Sequence, residues 1–255
     1  MTMLPIILLY IFIFFFGSVV GSFLNVLIYR IPKHEDFVVV RSHCMNCGYQ
    51  LGWTDLIPIF SWIALGGKCR KCKTRLSVQY PTIEALNGAL YVLITVRYGL
   101  SIESLLYCFL FSALIALSVI DFRTYEIPIG FNIFILTLGL VRVATDYTDW
   151  LQYLIGFLVV SVPLLILYYA TGGRGIGGGD VKLMAVCGLL IGWKLILLSL
   201  GLGCIIGSII HVIRMKASKA DRVLAMGPYL SVGIMIATLW GESMINWYLR
   251  LSGLG

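Results

Sequence analysis

Charge is what this chain has least of: Asp, Glu, Lys and Arg together make up 12% of its 255 residues, against 60% hydrophobic. No soluble core of this length hides so much apolar surface, so the ordinary globular classes are excluded and a polytopic membrane protein remains. Long polar segments are missing too, apart from residues 30–80. The first apolar run lacks the basic start of a signal peptide. It continues past Gly17-Ser18 and Gly21-Ser22 to Asn25 and Arg30, and is expected to stay as an anchor. No internal repeat relates the two halves, which argues against a transporter built on repeated bundles.

What is present is a series of apolar stretches near the roughly 20 residues that carry a helix across a bilayer. They fall at residues 4–28, 81–98, 102–120, 127–144, 151–170, 181–193, 195–213 and 227–249. The expected fold is an all-α polytopic membrane protein of about eight transmembrane helices, with a small cytoplasmic loop domain after the first. The expected division is a first helix over 1–29, the loop over 30–80 and a seven-helix membrane domain over 81–255. Cations set the orientation. Arg30, Lys33, Arg41, Lys68, Arg70, Lys71, Lys73, Arg75, Arg123, Arg174, Lys182, Arg214, Lys216, Lys219 and Arg222 fall on one side, and only Arg97, Arg142, Lys194 and Arg250 on the other. This asymmetry puts the first set in the cytoplasm and both termini outside. The net charge of +7 is then explained by topology and by contact with anionic membrane lipid, and no nucleic-acid partner is expected.

The polar loop holds Cys44-Met-Asn-Cys47 and Cys69-Arg-Lys-Cys72. Two such knuckles suit a tetrahedral four-thiolate zinc site, and the flanking Lys68, Arg70, Lys71 and Lys73 offset its negative charge. Two disulfides or unpaired cysteines are the competing arrangements, the disulfides disfavoured in a reducing cytoplasm. His43 adjoins the first knuckle as an alternative ligand. A closed four-thiolate site leaves no open position, so the expected role is structural. Cys108, Cys187 and Cys204 lie in apolar helices and are expected to pack.

Two acids stand where acids are costly: Asp121 after the apolar run 105–120, and Asp180 at the end of Gly172-Gly-Arg-Gly-Ile-Gly-Gly-Gly-Asp180. The expected topology places both at the same membrane face. A side-by-side pair could share a proton, one carboxylate activating water while the other protonates a leaving amine, as in aspartic proteases. Singly, Asp180 could cap a helix and Asp121 could be solvated beside Arg123. Gly177, Gly178 and Gly179 favour the catalytic reading, because residues without side chains let an extended peptide approach a carboxylate. The formal GxGxxG at Gly173–Gly178 carries little, since no strand precedes it and no P-loop lysine follows.

These residues resemble the bacterial type IV prepilin peptidase family, the bifunctional prepilin leader peptidases and N-methyltransferases. The matches are Gly21-Ser-Phe-Leu-Asn-Val26, both CxxC pairs, Tyr80-Pro81 with Glu84, Ile127-Pro128, Gly177-Gly-Gly-Asp-Val-Lys-Leu183 and Gly227-Pro-Tyr-Leu230, in order along nearly the whole chain. The resemblance implies Asp121 and Asp180 as the catalytic dyad. It also implies cleavage of prepilins or pseudopilins after a glycine at the cytoplasmic side of the bacterial plasma membrane, and S-adenosylmethionine-dependent methylation of the new N-terminus. No soluble Rossmann-like methyltransferase domain is present, which leaves the cytoplasmic loop as the place for that activity. The family commonly has asparagine after the Ile-Pro, where this chain has Ile129. Glu84 is expected to cap the second helix. Competing readings are a presenilin-like GxGD intramembrane protease, a proton-coupled transporter and a non-enzymatic assembly protein.

Overall fold

The computed structural model describes residues 3–217 and 224–253, so Lys219 and Arg222 of the cation count lie outside the described residues. Ten α-helices occur among these: α1 Met3–Arg30, α2 Phe60–Ala64, α3 Gln79–Tyr98, α4 Ile102–Thr124, α5 Ile129–Thr145, α6 Trp150–Val159, α7 Ser161–Thr171, α8 Gly178–Ile191, α9 Trp193–Ala217 and α10 Gly227–Leu251. No named strand is found among the described residues, only the isolated bridges His43–Gln50 and Lys68–Arg75. Helices occupy all eight apolar stretches, with the fifth broken at Val160 into α6 and α7. Among the described residues, four segments are long and apolar enough to cross a membrane: Met3–Lys33, Ile102–Thr124, Tyr147–Ala170 and Trp193–Lys216.

The chain divides into two compact units, Met1–Ala116 and Leu117–Gly255. In the first, α1 packs on α3 through its small residues. A Cβ on Gly17 would stand 2.9 Å from the Gly88 Cα, and one on Gly21 would stand 2.8 Å from the Glu84 Cα, so these backbones touch. A buried polar chain runs beside the contact. Asn87 Nδ2 donates to the Gly17 carbonyl at 2.8 Å, and Ser112 Oγ donates to Asn87 Oδ1 at 2.9 Å. Leu4, Ile7, Phe12, Phe15 and Phe16 of α1 point outward while Gly17, Ser18, Gly21 and Asn25 are buried. Small and polar inside, large and apolar outside is the arrangement that a lipid surround favours.

Glu84 does not cap α3. It lies beyond the first turn, and its Oε2 accepts the Ile59 amide at 2.7 Å. Ile59 has φ 63°, a conformation a β-branched residue rarely takes. The carboxylate holds the polar loop to α3 at this bend, a long-range role that local spacing does not reveal.

In the second unit α8 is the centre, packed by α5, α6, α7, α9 and α10. Its residues from Asp180 to Ile191 are buried except Lys182. A helix apolar around its whole circumference belongs inside a bundle, which explains why 14 residues suffice. Gly188 and Gly156 make the α8–α6 contact possible: a Cβ on Gly188 would meet the Gly156 carbonyl oxygen at 2.0 Å. Gly192, at φ 82°, ends α8 and lets α9 begin at once. Cys108 and Cys187 are buried as packing residues, whereas Cys204 is exposed because it faces outward from α9.

Candidate active site and metal centre

Asp121 lies in the last turn of α4, where the helix dipole opposes a carboxylate, and it is 5% exposed. Its compensation comes from the start of α10: the Gly227 amide donates to Asp121 Oδ2 at 2.9 Å. Asp121 thus serves the N-terminus of a helix 106 positions away. Gly227 is required sterically, since a Cβ there would stand 2.6 Å from Asp121 Oδ2. After Asp121 the chain reverses at once. Tyr125 takes φ 57° and its amide donates to the Asp121 carbonyl at 2.8 Å, ending α4. Extended Pro128 then starts α5.

Asp180 is the third residue of α8, at the favourable end of the dipole, and is 7% exposed. The N-cap of α8 is Gly177, not Asp180. The Gly177 backbone amide lies within hydrogen-bonding reach of the Asp180 carboxylate. Neither aspartate has an ion-pair partner among the described residues. Both line one cavity of about 300 Å³, together with Gly177, Gly178, Gly179 and Asn132. Gly179 also packs against Ile127, whose Cβ would stand 3.1 Å from a Cβ at 179. Ile129 lines the same cavity. Two contributors to this site are not foreseen from the sequence: Asn132, and the contact of the Gly227 amide with Asp121, although Gly227 belongs to the Gly227-Pro-Tyr-Leu230 match. An asparagine inside an apolar helix carries no local signal, and a backbone donor carries none at all.

In the first unit the four loop cysteines converge. Cys44, Cys47, Cys69 and Cys72 present sulfurs within 4.8 Å of one another. The two knuckles are built alike. Each lies inside one antiparallel bridge, His43–Gln50 or Lys68–Arg75, and each turns on a left-handed residue, Gly48 at φ 67° or Lys73 at φ 60°. Cys44 Sγ and Cys72 Sγ are 3.8 Å apart. That matches the edge of a tetrahedron whose corners lie about 2.3 Å from a zinc ion. All four are free of disulfides, and His43 stands outside the cluster, its Nδ1 3.1 Å from the Arg41 carbonyl. The cluster can therefore hold a metal ion. Asn46 Nδ2 donates to Thr74 Oγ1 at 2.8 Å, and Arg70 Nε donates to Asp55 Oδ1 at 2.6 Å, so polar ties link the knuckles as well. Burial works against the Asp55 carboxylate, but Arg70 and the Gly52 amide outweigh it and hold Asp55 below the usual carboxylate range.

A second cavity, about 340 Å³, lies within the first unit. Its walls include Asn25 and Tyr29 of α1, Asp55 and Trp62 of the loop, and Glu84 of α3. Its volume is within the range of small-molecule sites, about 300–1,000 Å³.

Comparison with known proteins bears on both units. Residues 15–98 match the bacterial peptidase A24 N-terminal domain, and residues 108–212 match the type IV leader peptidase family. Three relatives named prepilin leader peptidase/N-methyltransferase illustrate the similarity. That of Pseudomonas putida is 31% identical over 93% of this chain and 92% of its own length. That of Bacillus subtilis (strain 168) is 31% identical over 94% and 98% respectively. That of Xanthomonas campestris pv. campestris is 32% identical over 93% of each. No solved structure matches the chain. With both family regions present in order and similarity running nearly end to end, this chain belongs to the type IV leader peptidase family, among the prepilin leader peptidase/N-methyltransferases.

Proposed function

We propose that this protein is an aspartic endopeptidase of the bacterial plasma membrane. It removes the leader of type IV prepilins and pseudopilins after a glycine on the cytoplasmic side and then methylates the new N-terminus. The observation that carries the reading is the pair of buried carboxylates in one cavity, without an ion pair to either among the described residues, each set at a helix N-terminus. Burying two acids together is costly unless they share a proton, and that shared proton is what peptide hydrolysis uses. The pair takes a proton from water as its oxygen attacks the scissile carbonyl, and returns a proton to the leaving amine. The two aspartates act as one coupled unit. Gly177 and Gly178 leave the cavity wall free of side chains beside Asp180, as an extended substrate requires.

With this reading go the eight membrane crossings expected from the apolar stretches, the cytoplasmic active site and loop and outside termini expected from the cations, zinc at Cys44, Cys47, Cys69 and Cys72, and, by family resemblance, S-adenosylmethionine as methyl donor. For zinc, the sulfur spacing supports the assignment. For the donor, the cavity bounded by Tyr29, Trp62, Asp55 and Glu84 offers aromatic faces for an adenine ring and, since Asp55 is paired with Arg70, the Glu84 carboxylate for a sulfonium cation. When bound, the donor supplies an activated methyl group for the free amine.

Purified protein in detergent, given a prepilin with and without S-adenosylmethionine, should yield a product lacking its leader, heavier by one methyl group only when donor is present. Product masses decide this, and an uncut prepilin with folded enzyme rejects the reading. Gly227→Ala tests how the dyad is held. Its methyl group would enter the space of Asp121 Oδ2, and a carboxylate displaced by about 1 Å can cost about 10²-fold in rate. The expected result is a fall in kcat with little change in KM, and wild-type turnover would show that the contact is irrelevant to catalysis.

A further inference from the structure

The face that α5 turns toward α8 carries Asn132, Ile135, Leu138 and Gly139, all buried. Gly139 contacts Leu189 of α8, a Cβ there standing 3.0 Å from Leu189 Cδ2. Asn132 is the polar exception in an otherwise apolar stripe, at the end nearest Pro128. It is 4% exposed, and neither its Oδ1 nor its Nδ2 has a hydrogen-bond partner among the described residues. A leucine has the same branched outline without leaving a donor and an acceptor unpaired, so a purely structural account predicts an apolar residue there. Asn132 also lines the cavity that contains Asp121 and Asp180.

A carboxamide offers one donor and one acceptor side by side, and an extended peptide backbone offers the complementary pair. We propose that the Asn132 amide binds the main chain of the peptide substrate next to the dyad, fixing the register of the scissile bond. Such recognition ignores side chains. It suits a site whose lining includes Gly177 and Gly178 and whose ligand must present its backbone closely. The unpaired amide is then a cost carried by the free protein and recovered on binding. This inference rests on the peptidase reading above.

Two measurements on the full-length protein test it. The first is the melting temperature of Asn132→Leu in detergent. Removing two unpaired polar atoms should raise it, whereas a lower value would reveal a structural partner and overturn the proposal. The second uses synthetic prepilin peptides in which each amide N–H near the scissile bond is replaced in turn by an ester oxygen. Against the all-amide peptide, Asn132→Leu should lose about 10- to 100-fold in kcat/KM. One ester position should cost wild type a similar factor but cost the variant almost nothing, the signature of a lost shared contact. Additive losses at every position, or wild-type cleavage by Asn132→Leu, would overturn the role of Asn132 while leaving the peptidase reading intact. An all-amide peptide left uncut by folded wild type, or cut equally by Asp180→Asn, would reject the peptidase reading and this inference with it.

Discussion

Asp121→Asn and Asp180→Asn each lower prepilin cleavage by about 10³-fold or more, the order expected when a positioned acid or base is removed, while the protein keeps its fold. The second half of this expectation is what makes the first interpretable. An asparagine at 121 still offers an oxygen to the Gly227 amide, so the link between α4 and the start of α10 survives. At 180 the replacement removes one of two carboxylates that share a proton, and the backbone bond from residue 180 to the Gly177 carbonyl, 3.1 Å long, is untouched. Neither change opens a cavity or leaves a buried cation unpaired, the usual routes to large destabilisation. Unfolding and cleavage therefore separate: melting temperatures near wild type with leader removal abolished identify a catalytic pair. Substantial cleavage by either variant takes that residue out of the mechanism.

Much of this arrangement is legible in the sequence because the bilayer imposes a single strong rule, about 20 apolar residues per helix. That rule finds α1, α3, α4, α5, α9 and α10 closely. It falters where helices answer to protein neighbours instead of lipid. α8 is too short to satisfy it and is surrounded by other helices, and the fifth stretch breaks at Val160. The knuckles are legible because cysteine spacing is a local constraint, and bringing the four sulfurs together needs only two short turns, on Gly48 and Lys73. The surroundings of the dyad are not local. Gly227 reaches Asp121 through a backbone amide, and Asn132 is one polar residue in an apolar stripe. Glu84 reads as a helix cap for the same reason: its true partner is Ile59, 25 positions upstream, at a bend no spacing announces.

Removing the metal should separate the two activities. Between residues 31 and 78 the only buried residues are Cys44, Pro58, Gly67 and Cys69, so the loop has no apolar core of its own. Its interior is the four sulfurs, and a structural zinc can contribute about 10–16 kcal/mol to such a fold. The other ties, among them Arg70 to Asp55, Asn46 to Thr74, Ile59 to Glu84 and Arg30 to the Val40 carbonyl, are polar contacts that bury no core in its place. The hydrogen bonds and packing contacts described for Asp121 and Asp180, by contrast, all come from residues 117–255. Cys69→Ser, or exhaustive chelation of wild type, should therefore release about one zinc per chain and expose the loop to added protease. Methylation should fall to background while leader removal continues. Elemental analysis, limited proteolysis and product masses read these outcomes from one preparation. Normal methylation by a zinc-free protein would contradict the structural role of the metal. Loss of cleavage in step with methylation would show that the loop is needed for the peptidase as well, a dependence the immediate surroundings of the aspartates do not require.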